Sequence, residues 1–287
     1  MVAPEAAAAA LVALFRHSRR HPVPERERAW LAAARRDGFE AAGRRLPAWS
    51  WGAGPAVLLV HGWQGRGSQM GAFAAPLADA GFRAVAWDAP GHGGDRRRLS
   101  SLPEMIAAVG AAARRVGPVA GVVAHSVGAA AVSGAIDAGL LAAERAVFLA
   151  PPAEPARYLA AAGAWLGLPP AIVARARRRI ERRFGIRMDD LAPVAQAPRR
   201  TTPLLVVHDR GDREVPWEEG SRLAAAWPGA ELLTTRGLGH RRLLRHPEIV
   251  AAAVGFLCDT PAASAAPAMS RRPNLDAATA PLTRRAG

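Results

Sequence analysis

The pentapeptide Ala124-His125-Ser126-Val127-Gly128 directly follows the apolar run Val119–Val123 and opens a helix-like stretch. A serine between small residues at a strand-to-helix junction is the pattern of a nucleophile elbow, a sharp turn that presents the hydroxyl. Side chains larger than Ala124 and Gly128 would collide across that turn. Ser133 and Ser264 also have alanines two residues to each side. Ser133 falls inside a helical pattern and Ser264 in a stretch without period, so only Ser126 has the required context. The bland alternative is that Ser126 caps the following helix.

A serine hydroxyl attacks a carbonyl only when a base takes its proton. Among 8 histidines, His240 lies in Gly237-Leu238-Gly239-His240, just after the last candidate strand. It follows both Ser126 and the candidate acids, as the chain order Ser, Asp, His requires. The acid should come from the loop His208-Asp209-Arg210-Gly211-Asp212-Arg213-Glu214-Val215-Pro216. Asp209 and Asp212 both qualify, and geometry alone does not separate them. An oxyanion needs two N–H donors. Val127, next to the serine, supplies one. Trp63, in His61-Gly62-Trp63-Gln64-Gly65, supplies the other. The chemistry these residues imply is acyl transfer.

Elements that would hold such a set alternate along the chain. Short apolar runs at Ala56–Val60, Arg83–Trp87, Pro118–Ala124, Ala146–Ala150 and Leu204–Val207, with a weaker one at Ala230–Thr234, read as buried parallel strands. Helix-like stretches fall between them at Ser68–Ala80, Leu102–Val116, Val127–Leu141, Trp217–Ala226 and Pro247–Leu257. The implied fold is α/β, a doubly wound and mostly parallel sheet. Leu46–Trp51 reads as an antiparallel edge strand paired to Ala56–Val60. The alternation pauses over residues 151–203. There Ile172, Ala176, Ile180 and Phe184 make an apolar stripe among arginines, expected to form a small helical insertion above the C-terminal edge of the sheet. Residues 1–45 read as an N-terminal helical extension, 46–150 and 204–260 as the core, and 261–287 as a disordered tail.

The chain is identified as a member of the α/β-hydrolase superfamily of serine hydrolases. The resemblance covers roughly residues 46 to 258. It rests on His61-Gly62-Trp63-Gln64-Gly65, Asp88-Ala89-Pro90-Gly91-His92-Gly93, the elbow at Ser126, Asp212-Arg213-Glu214-Val215-Pro216 and Gly239-His240, in that order. It implies that Asp212, two residues before a Val-Pro pair, is the acid rather than Asp209, and that 151–203 is a cap. The first glycine common in the elbow is Ala124 here, and Gly94-Asp95 replaces a more usual Gly-Ser or Asp-Ser.

Half of the residues are hydrophobic, which excludes a disordered polyelectrolyte. The net charge of +14 comes from 38 Arg, with no Lys, against 24 acids. Residues 151–203 hold 10 Arg against 4 acids, whereas 51–150 and 204–260 together are nearly neutral. Charge confined to terminal and inserted segments, with few aromatics, argues against nucleic acid. The lone Cys258 excludes a disulfide framework and reads as a packing residue. No histidine spacing fits a metal site, and no cofactor is expected. The early run Ala6–Phe15 is too short to span a bilayer and reads as a helix, so a cytoplasmic protein without membrane insertion is expected. Oligomeric state is not legible. Tyr158, Trp165 and Leu166 of the insertion, with Trp63, imply an apolar acyl pocket bordered by His61 and Gly62. His61 and His125 are also expected to hydrogen-bond neighbouring loops. The expected partner is a small carboxylic ester. A coenzyme A-type thioester drawn by the insertion's arginines is the alternative, and a non-catalytic ligand-binding homologue is a second.

Overall fold

The computed structural model describes residues 4–259 and the backbone of 275–276. Along the chain run α1 (Pro4–Arg16), α2 (Glu25–Ala32), β1 (Arg35–Ala41), β2 (Arg44–Trp51), β3 (Ala56–Val60), α3 (Ala74–Asp79), β4 (Arg83–Trp87), α4 (Leu102–Val116), β5 (Val119–His125), α5 (Val127–Asp137) and β6 (Ala143–Leu149). Then follow α6 (Arg157–Trp165), α7 (Pro170–Phe184), α8 (Pro193–Gln196), β7 (Leu204–Asp209), α9 (Trp217–Ala226), β8 (Glu231–Arg236), α10 (Gly239–Arg242), α11 (Pro247–Cys258) and β9 (Leu275–Asp276). A 3-10 turn over Gly67–Phe73 leads into α3.

Sheet order is β1-β2-β4-β3-β5-β6-β7-β8-β9. Strands from β4 onward pair in parallel, whereas β2 runs antiparallel to both neighbours. Alternate residues of the central strands feed two cores, one on each face of the sheet. Leu58, Val122, Phe148 and Val206 pack with α4, α5 and α9. Leu59, Val123, Val147 and Val207 pack with the Gly67–Phe73 turn, α3 and α11. No helix among the described residues is long and apolar enough to cross a membrane.

Three expectations need correction. Leu46–Trp51 lies within β2, which pairs with β4 and not with β3, and it is not the edge. The right-handed β3–α3–β4 crossover inserts β4 between them. Residues 1–45 are not only helical: β1 joins the sheet through a tight turn at Ala42-Gly43, both with positive φ. That turn hides in the sequence because alanine rarely adopts it. Cys258 is exposed at the end of α11 rather than packed. Of the tail, Leu275–Asp276 runs beside β8, and the rest of 261–287 lies outside the described residues.

The N-terminal helices are built into the body. In α7 the stripe Ile172, Ala176 and Ile180 is buried against Ala8 and Leu11 of α1 and Leu159 of α6. Arg175 and Arg179 both reach Glu5 of α1, at 2.7 and 3.1 Å. Helix α2 is too short and polar to stand alone. It is pinned by Glu27, which is buried and accepts Arg66 Nε at 2.6 Å, Arg66 Nη2 at 2.8 Å and Ser68 Oγ at 2.7 Å. Removing one partner of a buried pair strands the other's charge. Glu27→Ala is therefore expected to destabilise the fold by about 3–5 kcal/mol, measured by urea unfolding against wild type. A loss within the range of a surface ion pair would show that Glu27 does not anchor α2.

Candidate active site

Ser126 joins β5 to α5 with φ 53 and ψ −130, a sparsely populated region for a non-glycine residue. It stands at the N-terminal end of α5, but its side chain makes no capping hydrogen bond there. Two glycines make room for the turn. A Cβ on Gly128 would meet the carbonyl oxygens of His61 at 2.5 Å and Val60 at 2.8 Å, and one on Gly62 would meet Ser126 Cβ at 2.8 Å. Gly62 therefore faces the serine, and it does not border the cavity as the sequence reading had it.

His240 opens α10, and its Nδ1 lies 2.7 Å from Asp212 Oδ2. Asp212 Oδ1 accepts the N–H groups of Glu214 at 2.8 Å and Val215 at 2.9 Å. His208 Nε2 stands 3.0 Å from the Val215 carbonyl, to which it donates, and 3.4 Å from Asp212 Oδ2. Burial would raise the Asp212 pKa, but bonds from His208, His240 and Val215 hold it well below the usual carboxylate range. Asp209 is committed elsewhere. It accepts Gly211 N through Oδ1, and Thr235 Oγ1 and Leu238 N through Oδ2, each at 2.8 Å. The two aspartates that geometry alone did not separate thus divide into one bonded to His240 and one tying the β7 loop to the β8 loop.

Other histidines brace loops. His61 Nδ1–H donates to the Gly62 carbonyl at 2.7 Å, and its Nε2 accepts Ala89 N–H at 2.9 Å. His61 is buried and does not line the cavity, against its expected place at the substrate. His92 Nδ1 donates to the Pro90 carbonyl at 2.9 Å and its ring stands edge-on to Trp63, with centroids 5.0 Å apart. His125 Nε2 donates to the His240 carbonyl at 3.0 Å. Asp88 accepts Gly67 N and Gly94 N, each at 2.8 Å, joining the two loops.

A cavity of about 730 Å³ collects Ser126, Val127, His240, Trp63 and Tyr158 on its walls. Val127 begins α5, where the first N–H groups have no intrahelical acceptor. The remaining lining is largely apolar, including Leu14, Trp30, Ile180, Met188 and Leu244. Tyr158 Oη is buried without a hydrogen-bond partner among the described residues. Trp165 and Leu166 line nothing here. Trp165 is the last residue of α6, 84% exposed, about two turns or roughly 10 Å along the axis from Tyr158. The insertion's arginines also stay outside: Arg175 and Arg179 pair with Glu5, Arg177 with Glu181 and Asp189, and no arginine from 151–203 lines the cavity. What the sequence reading missed is the N-terminal wall. Leu14–His17, His21 and Trp30 line the cavity, as does the Glu27–Arg66 pair. No local signal marked it: Glu25 and Glu27 look alike in the sequence, and only tertiary contact with Arg66 and Ser68 distinguishes Glu27.

The sequence profile of the Alpha/beta hydrolase family matches residues 57–253, and the chain belongs to that family. Similar solved structures include Rv0554 from Mycobacterium tuberculosis, at 21% identity and TM-score 0.63 over 79% of this chain and 100% of that one. A thermophilic esterase from Thermogutta terrifontis is 17% identical, with TM-score 0.58 over 77% of this chain and 97% of its own. Est816, described as an N-acyl homoserine lactone degrading enzyme, is 19% identical, with TM-score 0.61 over 77% and 100%. At these identities the likeness is one of fold. No curated protein matches the chain significantly.

Burial holds three imidazoles neutral, with pKa values lowered to about 3 for His61 and His125 and about 4 for His92. In the unfolded chain they take protons near 6.5. Between those values the unfolded chain binds more protons, so stability rises with pH and is fully present above pH 7. Acidification from pH 6.5 to 5 is expected to cost about 2 kcal/mol per imidazole. Denaturant unfolding at the two pH values checks this, and a flat profile would show that these rings are not held neutral.

Proposed function

We propose that the protein hydrolyses carboxylic esters of apolar acyl groups through a Ser126–His240–Asp212 triad. The observation that carries this reading is the 2.7 Å contact between His240 Nδ1 and Asp212 Oδ2, with His240 and Ser126 both on the walls of one cavity. Asp212 keeps the Nδ1 proton, leaving Nε2 as the basic nitrogen, and stabilises the imidazolium that forms. Nε2 takes the Ser126 proton as Oγ attacks the carbonyl carbon. The N–H groups of Val127 and Trp63 receive the developing oxyanion, each lowering the barrier by about 2.7–4 kcal/mol. His240 then protonates the departing alkoxide. Water, activated in the same way, releases the acid and returns the proton to Ser126. The segment 151–203 acts as a cap, with α1 as an added helix, and its apolar wall supports an apolar acyl group. A cytoplasmic enzyme without a cofactor fits this scheme.

A fluorophosphonate probe should label wild type at Ser126 and leave Ser126→Ala unlabelled. Absence of labelling on wild type would favour a ligand-binding role for the fold. On p-nitrophenyl esters Asp212→Asn should lower kcat by about 10⁴-fold. Asp209→Asn should stay within a few fold while losing stability. The reverse ranking would transfer the acid's role to Asp209. An acyl-chain series then sizes the cavity.

A further inference from the structure

We infer that a basic surface beside the cavity binds a phosphate-bearing handle on the leaving group, a nucleoside diphosphate of the coenzyme A type joined to the acyl group through a thioester. This rests on the serine-hydrolase reading and names the substrate class of that site.

Two segments distant in sequence are zipped together next to the cavity. Ser18 N donates to the Arg98 carbonyl at 2.8 Å and Ser100 N to the Arg16 carbonyl at 2.9 Å, on either side of the bridge His17–Leu99. That pairing sets Arg19 and Arg20 beside Arg96, Arg97 and Arg98, all exposed. The neighbouring acids are already engaged. Asp95 accepts Arg44 at 2.6 Å, and Glu104 accepts Arg16 at 3.1 Å and Arg44 at 3.3 Å. Arg20 donates to backbone carbonyls, chiefly that of Asp95, and its charge also acts on the buried Asp88. None of the five arginines pairs with a carboxylate among the described residues. Arg16 and Arg44 therefore cancel Asp95 and Glu104, and of the five arginines left over in one patch only Arg20 also feels a buried carboxylate, that of Asp88.

The position of the patch makes it relevant to substrate. His17, His21, Ser100 and Ser101 line the cavity, so both strands of the zipped pair pass from patch to cavity wall within a few residues. Like charges held together repel, and a polyanion laid across them relieves the repulsion. Guanidinium groups match phosphate oxygens in bidentate geometry. The apolar interior suits the acyl chain, so the anionic part belongs outside, on the leaving group. The positive charge that bears on substrate is thus not that of α7, whose arginines either face solvent or pair with Glu5, Glu181 and Asp189.

In the reaction Ser126 Oγ forms a bond to the acyl carbon, the C–S bond breaks, and His240 gives its proton to the departing thiolate. The coenzyme leaves as a free thiol, and water hydrolyses the acyl-enzyme to the acid. No oxidant or reductant enters.

The test compares an acyl-coenzyme A with the N-acetylcysteamine thioester of the same acid, which lacks every phosphate, and with its p-nitrophenyl ester. At low ionic strength wild type should show a KM for the coenzyme A thioester at least roughly tenfold below that for the truncated thioester, the gap closing as salt is added. The triple variant Arg96→Glu, Arg97→Glu, Arg98→Glu should raise that KM by roughly tenfold or more, leaving kcat and both other substrates unchanged. Equal KM values in wild type, or a triple variant with unchanged KM, overturns the inference. Turnover of an acyl group only when it is carried on a protein-bound phosphopantetheine also overturns it, in favour of a protein partner. Calorimetry of coenzyme A with Ser126→Ala reads binding without chemistry. If wild type cleaves the p-nitrophenyl ester and Ser126→Ala binds no coenzyme A, the inference fails and the hydrolase reading stands. If coenzyme A binds and the triple variant abolishes binding, but no ester or thioester is cleaved, the hydrolase reading fails instead.

Discussion

Ser126 holds a positive φ of 53 on an L-residue, a conformation costing about 1–3 kcal/mol that persists only where its surroundings over-determine it. Those surroundings come from two directions. On one side Ser126 N donates to the Leu149 carbonyl of β6 at 2.9 Å, so the ladder of the sheet continues into the turn. On the other, Gly128 lies against the carbonyls of Val60 and His61, and Gly62 lies against Ser126 itself. The turn therefore needs β3 and β6 as immediate neighbours of β5, which is the order the sheet has. The same order brings the loop carrying Trp63 against the start of α5, and carries His240 and Asp212 in on the loops after β8 and β7.

Above that rigid edge the enclosing wall is assembled from two ends of the chain. Helices α6 and α7 share one apolar cluster with α1, so the stripe on α7 is satisfied by residues more than 150 positions away. Ion pairs of unlike strength hold the wall together and fix it to the body. Exposed pairs such as Arg175–Glu5 contribute little once solvent screens them. The buried, bidentate Glu27–Arg66 pair fixes α2 to the loop that leads away from β3, and its two members form part of the cavity wall. Stability of the wall and shape of the cavity thus depend on the same side chains.

Much of the parallel body was legible because a strand buried on both faces must be an unbroken apolar run. Arg83–Trp87 and Leu102–Val116 match the observed elements end to end, and Ser101 caps the latter as its position allows. What failed to show were features fixed by tertiary contact. β1 alternates weakly and turns through an alanine, so nothing local marks it. Trp165 is large and apolar, the type expected in an acyl pocket, yet it ends its helix beyond the cavity. The N-terminal wall carries no motif because its role arises only from packing on α7 and the bond to Arg66. His61 and Gly62 sat in a motif correctly singled out, but their neighbours proved to be the Ala89 backbone and Ser126 rather than the cavity.

Asp209 and Asp212 show how two carboxylates on one loop come to have different partners. Both carboxylates have depressed pKa values despite burial, and both achieve this by accepting N–H groups. The difference is which donors are mobile protons. Asp209 takes backbone N–H groups and a threonine hydroxyl, none of which changes charge near neutrality, so it can only brace loops. Asp212 fills one oxygen with backbone donors and turns the other toward His240, with His208 standing behind it. A carboxylate whose first oxygen is saturated cannot rotate away, so the second stays aimed at the imidazole. Asp212 lies three residues beyond Asp209, which is still paired with Thr235 within the strand and has both of its oxygens taken by Gly211, Thr235 and Leu238.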